Sequence, residues 1–220
     1  MKRKLFAEFL GTFSLIFCGT GAMTINEVTS GDVTHVGIGI TWGLIVMALI
    51  YALGDISGAH FNPAVTVAFA YAKKFSWKEV PGYIIIQVAG AVTASAILWF
   101  LFPDSQFLGG TLPTITPYKA FILELLLTFF LMLVIINVST GSKEVGTMAG
   151  IAIGGVVLLE ALFAGPVTNA SMNPARSLAP ALFSGQLQHQ WLYLTAPFIG
   201  AIMAVLCCKY LKSNNCCDNC

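Results

Sequence analysis

The chain has 220 residues, 57% of them hydrophobic and 10% charged, with a formal net charge of +1 and a mean hydropathy of +0.82. Soluble domains carry about a quarter charged residues, so this composition excludes one, and the lack of a basic patch excludes nucleic-acid binding. What remains is a single all-α membrane domain over residues 1–220, with no length to spare for a soluble one.

Six stretches are apolar and long enough to cross a hydrocarbon core of about 30 Å: 6–25, 36–54, 82–102, 118–138, 146–164 and 190–211. The first opens on "MKRKLFAEFLGTFSLIFC", whose basic start and apolar run a signal peptide would share. Glu8 interrupts that run and Phe17 is too bulky to precede a cleavage site, so the reading here is a first membrane helix. Basic residues set the orientation. Lys2, Arg3 and Lys4 precede the first span, Lys73, Lys74 and Lys78 the third, Lys143 the fifth, and Lys209 and Lys212 end the sixth. With six crossings and an inner amino terminus, these nine fall on the cytoplasmic side, and both termini are expected there. Of the eleven basic residues that leaves Lys119 outside and Arg176 in apolar surroundings.

"HFNPAVTVAFAYA" stands between spans two and three, and "SMNPARSLAPALF" between five and six. Asn is a preferred N-cap and Pro suits the first helical position, so Asn62-Pro63-Ala64 and Asn173-Pro174-Ala175 each predict a helix start. About ten residues make roughly 15 Å of helix, half the hydrocarbon thickness. The two Asn are 111 residues apart, and their surroundings echo: Glu8 and Thr12 match Glu124 and Thr128, Gly39 and Gly43 match Gly150 and Gly154, and Gly90 matches Gly200. Residues 1–112 and 113–212 therefore read as two repeats, followed by a cytoplasmic Cys-rich tail, 213–220. Three crossings per repeat is an odd number, so the second repeat is inverted in the membrane. One apolar NPA would be a plain helix start. Two at matching places predict half-helices that enter from opposite sides and meet by their amino ends.

Irregular backbone at that depth needs burial in protein or a watery cavity, and two helix amino ends bring partial positive charges together. A capping Asn spends its oxygen on backbone N–H groups and leaves its NH₂ group to donate. The pair is expected to hold a passing oxygen while the facing dipoles raise the barrier to protons and cations. Arg176 sits at the third residue of its half-helix, where a positive charge opposes the dipole. Burial in lipid adds a cost of about 2.5–3.5 kcal/mol. Its presence predicts a function, with loop carbonyls as partners and some donors facing a lumen.

Paired NPA half-helices in an inverted three-plus-three repeat, with Arg176 after the second, resemble the aquaporin (major intrinsic protein) family from Lys4 to Leu211. "TWGLIVMALIY", "ISGAHFNPAVTVAFA" and "LFAGPVTNASMNPARSLAPAL" are most similar to its nodulin-26-like branch, and the short tails to a bacterial member. The resemblance implies six transmembrane helices plus two re-entrant half-helices, in a homotetramer with one pore per subunit in the cell (inner) membrane. It implies a passive channel for water and small neutral solutes, embedded in lipid, without enzymatic activity or cofactor. It also implies a selectivity filter of Trp42, Ala161, Ala170 and Arg176 on the extracellular side of the NPA centre. The water-selective branch usually has His where this chain has Ala161; the wider, half-apolar slot suits glycerol and metalloid hydroxides such as arsenous or boric acid. Glycerol facilitators usually have Asp where this chain has Ser177, and a predominantly water-selective channel stands as the alternative. By the same resemblance Glu8 and Glu124 brace the re-entrant loops by accepting backbone N–H bonds, helix-end acids facing headgroups being the other reading. His60 either lines the cytoplasmic vestibule or is a satisfied loop histidine, and Asp55 flanks that mouth or is a solvated acid.

Adjacent helix residues point about 100° apart, so with Ala161 toward a lumen Glu160 faces a neighbouring helix or subunit; a filter-modifying role is the alternative. His35 and His189 stand at helix ends with no role assigned. Cys18, Cys207 and Cys208 lie in apolar runs as small buried residues. Cys216, Cys217 and Cys220 in "NNCCDNC" read as a disordered tail or as a site for a soft metal or trivalent arsenic. A reducing cytoplasm argues against structural disulfides. A secondary transporter shares inverted repeats and broken helices, but Glu160 is the lone inner-span acid available to couple ions. No Ser/His pair, metal-spaced cluster or nucleotide loop supports a membrane enzyme.

Overall fold

A computed structural model describes residues 1–139 and 146–211. Among these the chain forms eight helices and no strand: α1 (Lys2–Val28), α2 (Thr34–Ser57), α3 (Pro63–Tyr71), α4 (Val80–Leu101), α5 (Pro117–Ser139), α6 (Ala149–Thr168), α7 (Pro174–Ser184) and α8 (Gln190–Leu211). Six are long and apolar enough to cross a membrane; α3 and α7, with nine and eleven residues, are not. The protein is a multi-pass integral membrane protein.

Within each half the first span packs on the other two: α1 on α2 and α4, and α5 on α6 and α8. The halves meet where α2 packs on α6, and the short helices are wedged between them, α3 against α4 and α8, α7 against the same two. Small residues allow this closeness, as expected of membrane helices held by van der Waals packing. A Cβ on Gly90 would lie 2.5 Å from the Phe9 carbonyl oxygen, and one on Gly200 would strike the carbonyl of Leu125. Gly43 and Gly154 are each other's obstacle in the same way, backbone against backbone across the α2–α6 seam.

The fifth span runs further than its apolar pattern predicts. Helix α6 continues through Gly165 and Pro166 to Thr168 and stops at Asn169, whose φ of 63° is left-handed. Pro166 cannot donate to the carbonyl four residues back, that of Leu162. His35 Nε2 supplies the missing donor, 2.6 Å from the Leu162 oxygen, so the helix survives its proline.

Candidate functional site

Both re-entrant segments adopt one backbone pattern. Ala59 and Phe61 in the first, and Ala170 and Met172 in the second, have left-handed φ of 51°, 49°, 42° and 55°. None is glycine, and each such residue costs about 1–3 kcal/mol unless its surroundings enforce it. The enforcement comes from two carboxylates that are 0% exposed. Glu8 on α1 accepts from the backbone N–H of His60 at 3.0 Å and Phe61 at 2.8 Å; Glu124 on α5 accepts from Ser171 at 2.9 Å and Met172 at 3.0 Å. Tyr83 and Tyr193 donate to the carbonyls of Ser57 and Thr168, at 2.8 and 2.9 Å, and hold the approach to each loop. With the loop donors engaged by the glutamates, the carbonyls are the polar groups left for a solute.

The half-helices begin where the NPA triplets stand. Asn62 Oδ1 accepts from Ala64 N at 2.9 Å, and Asn173 Oδ1 from Ala175 N at 3.0 Å. Pro63 and Pro174 open their helices at the first position. The NH₂ groups are not wholly free, as capping alone would leave them. Asn62 Nδ2 donates to the Met172 carbonyl at 2.8 Å, and Asn173 Nδ2 to the Phe61 carbonyl at 2.9 Å. Each cap thus fastens the opposite loop, and one N–H per side chain remains to meet a solute. The left-handed φ at Phe61 and Met172 presents these two carbonyls to the caps.

A cavity of about 160 Å³ runs past both Asn. One side is the loop residues Gly58 to Asn62 and Ala170 to Asn173; the other is apolar, with Leu131 and Ile135 of α5 and Ile153 and Val157 of α6. A second cavity, of about 300 Å³, opens at the mouth where α1, α2 and α6 converge. Trp42 and Ala161 line both, and Ala170 and Arg176 line the first beside them. The four residues meet at the junction of the two cavities.

Arg176 is 2% exposed, and its partners are spread over the chain. Nη1 donates to the Gly109 carbonyl at 2.7 Å and Nη2 to Met23 Sδ at 3.1 Å, while the guanidinium carbon lies 5.0 Å from the Trp42 ring centroid. Gly109 approaches so closely that a Cβ there would lie 2.7 Å from Thr20, at a φ of 65°. Its loop is tied to α1, where Glu27 accepts from Ser105 Oγ at 2.7 Å and from Gln106 N at 2.8 Å. Gly109, Met23 and Glu27 carried no signal in the sequence; their importance comes from what they touch.

Other expectations divide. His60 lines the first cavity and is also satisfied, with Nδ1 3.1 Å from Thr66 Oγ1 and its ring stacked on Phe69. Ser177 is buried against Ser171 through their hydroxyls, outside the cavity lining. Glu160 is 1% exposed, neither oxygen has a partner among the described residues, and it does not line the cavities. Cys18 and Cys207 are free thiols. Cys208 is buried in the core, as its apolar run predicts. Cys216, Cys217 and Cys220 lie outside the described residues.

Six spans, two half-helices meeting by their amino ends and a cavity past their caps define a membrane channel. The profile of the major intrinsic protein family matches residues 1–208. Aquaporin NIP1-1 of Zea mays is 44% identical over 214 residues, covering 97% of this chain and 76% of its own. Nodulin-26 of Glycine max is 48% identical over 202 residues, covering 91% and 74%. Among solved structures, the aquaglyceroporin from Plasmodium falciparum superposes with a TM-score of 0.81 at 29% identity, covering 93% of each chain. The chain belongs to the major intrinsic protein family.

Proposed function

We propose that this chain is a passive channel for water, glycerol and neutral metalloid hydroxides such as arsenous and boric acid, excluding protons and ions. In this reading Trp42, Ala161, Ala170 and Arg176 form the selectivity filter, and Asn62 and Asn173 with their Pro-Ala neighbours form the central barrier. One observation carries it: at the junction of the two cavities an indole and two methyl groups stand with a guanidinium. Such a slot suits a solute with one apolar or flat side and several hydroxyls, since apolar walls with few placed polar groups set orientation. The similar solved structure, the aquaglyceroporin from Plasmodium falciparum, is by its name a channel for water and glycerol, which supports the same reading.

The native form in this proposal is a homotetramer in the cell (inner) membrane, built from repeats 1–112 and 113–212, with both termini cytoplasmic. Exposed apolar side chains such as Phe6, Ile85, Phe100 and Phe163 support contact with lipid and sister subunits. The nine basic residues assigned to one side support the orientation.

Stopped-flow light scattering of proteoliposomes tests the reading. Vesicles holding the protein should swell back in glycerol or boric acid faster than empty ones, at rates indifferent to proton and sodium gradients. Arg176→Val, which places there the residue found at the matching Val65, should change the glycerol-to-water permeability ratio roughly tenfold, the effect of about 1.4 kcal/mol on a barrier. Vesicles that pass water but exclude glycerol would return the chain to the water-selective class. An unchanged ratio in Arg176→Val would remove Arg176 from the filter.

A further inference from the structure

We propose that the Met23 thioether forms a fifth wall of the constriction, and that its oxidation by a hydroperoxide entering the outer cavity narrows the channel. The inference rests on reading Arg176 as the filter's cation. Met23 lines the outer cavity together with Trp42 and Ala161, and its sulfur accepts from Arg176 Nη2 at 3.1 Å. Of the three groups holding the guanidinium, the Gly109 carbonyl and the Trp42 face are chemically inert toward mild oxidants; the thioether is not. It is also reachable: Met132 is 0% exposed and Met172, which lines the first cavity, is 4% exposed, whereas Met23 is half-buried at the wall of the second cavity.

The reaction balances without a cofactor. The sulfur lone pair attacks the hydroxyl oxygen of the hydroperoxide, an S–O bond forms as the O–O bond breaks, and the proton of that hydroxyl passes to the departing oxygen, which leaves as water or an alcohol. Sulfur is oxidised by two electrons and the peroxide reduced by two. A weak acceptor becomes a strong one for a guanidinium. At 3.1 Å the sulfur and Nη2 already touch, so no space exists between them for another oxygen. Either the guanidinium shifts toward Ala161 and Ala170, or the new oxygen stands in the lumen. Both narrow the slot, and glycerol loses more than water does.

The test treats proteoliposomes of the full chain with hydrogen peroxide, removes it with catalase, and measures glycerol and water permeability beside peptide mass spectrometry. The sulfoxide should appear at Met23, with glycerol permeability down roughly fivefold, equivalent to about 1 kcal/mol on a barrier, and water affected less. Dithiothreitol should not restore the rate, which sets aside Cys18 and Cys207, whereas methionine sulfoxide reductase should. Met23→Leu, compared with its own untreated rate, should ignore peroxide. A Met23 sulfoxide with unchanged glycerol flux overturns the proposal, as does equal peroxide sensitivity in Met23→Leu or a Met23 left intact where Met1 is oxidised. Arg176→Val separates the two claims: if it leaves the glycerol-to-water ratio alone, the filter reading fails; if it shifts the ratio while oxidised Met23 does not, this proposal alone fails.

Discussion

Behind the first re-entrant loop Glu8 accepts from four donors: Ser57 Oγ, Gln87 Nε2 and the backbone N–H groups of His60 and Phe61. Behind the second, Glu124 takes the N–H groups of Ser171 and Met172, with the Thr168 hydroxyl beside it. The backbones match, since Ala59 and Phe61 pair with Ala170 and Met172 in their left-handed φ. The supporting side chains do not. The position 110 residues after Gln87 is Pro197, which has nothing to donate, and the position 111 after Leu49 is Glu160. The second arm has charge instead: Glu124 feels Arg176, whose counterpart in the first arm is Val65. One arm is held by neutral hydrogen-bond donors, and the other by an acid and a base acting across its loop. The inverted repeat thus gives the two loops one backbone shape, and side-chain divergence places a cation, Arg176, where the first arm has Val65.

Removing each carboxylate would test this contrast hardest. Glu8→Leu orphans the Ser57 hydroxyl, one N–H of Gln87 and the His60 and Phe61 N–H groups, whereas Glu124→Leu orphans the Ser171 and Met172 N–H groups and the Thr168 hydroxyl, at about 1–3 kcal/mol for each orphaned group. Thermal unfolding in detergent should show both variants destabilised, with Glu8→Leu the lower. A reversed order would mean that the charge across the second loop is the stronger device.

A smaller effect belongs to the bent end of α6. His35→Ala leaves the Leu162 carbonyl without its donor and should cost about 0.5–1.5 kcal/mol, the net worth of one ordinary hydrogen bond. Pro166→Ala returns a backbone N–H to that carbonyl, so the double variant should be more stable than His35→Ala alone. If the two changes simply add, the histidine is not the proline's substitute donor.

The smallest effect is expected at Glu160. It is buried, has no partner among the described residues and lies outside the cavity lining, so Glu160→Gln should leave glycerol flux within about twofold. Glu160→Leu, which copies Leu49 of the first repeat, should be neutral or stabilising, because an unpaired buried polar group gives way to packed hydrocarbon. A large fall in flux for the glutamine variant would give Glu160 a part in the filter after all.

The proline at 166 shows where the sequence could mislead. Proline ordinarily ends a helix within a residue, and the apolar run thins at the same point, so local rules place the end of the fifth span too early. His35 lies 127 residues from Leu162 and nothing in its own neighbourhood marks it as a partner. Met23 and Gly109 were hidden for the same reason, being 153 and 67 residues from Arg176. The two tyrosines, by contrast, were legible in principle, because Tyr83 and Tyr193 obey the 110-residue shift that pairs Gly90 with Gly200.

Sequence alone determined whatever depends on neighbours along the chain or on an exact internal copy. The six spans follow from hydropathy, the half-helix starts from Asn-Pro capping, and the inversion from three crossings per repeat. Tertiary structure decided what each buried donor at the centre does. Asn62 and Asn173 each lend one N–H to the opposite loop, and Arg176 is held by a carbonyl, a thioether and an indole from three separate elements. The physical reason is that a buried polar group must find a partner wherever the packed chain offers one, and that choice exists only after the spans have assembled.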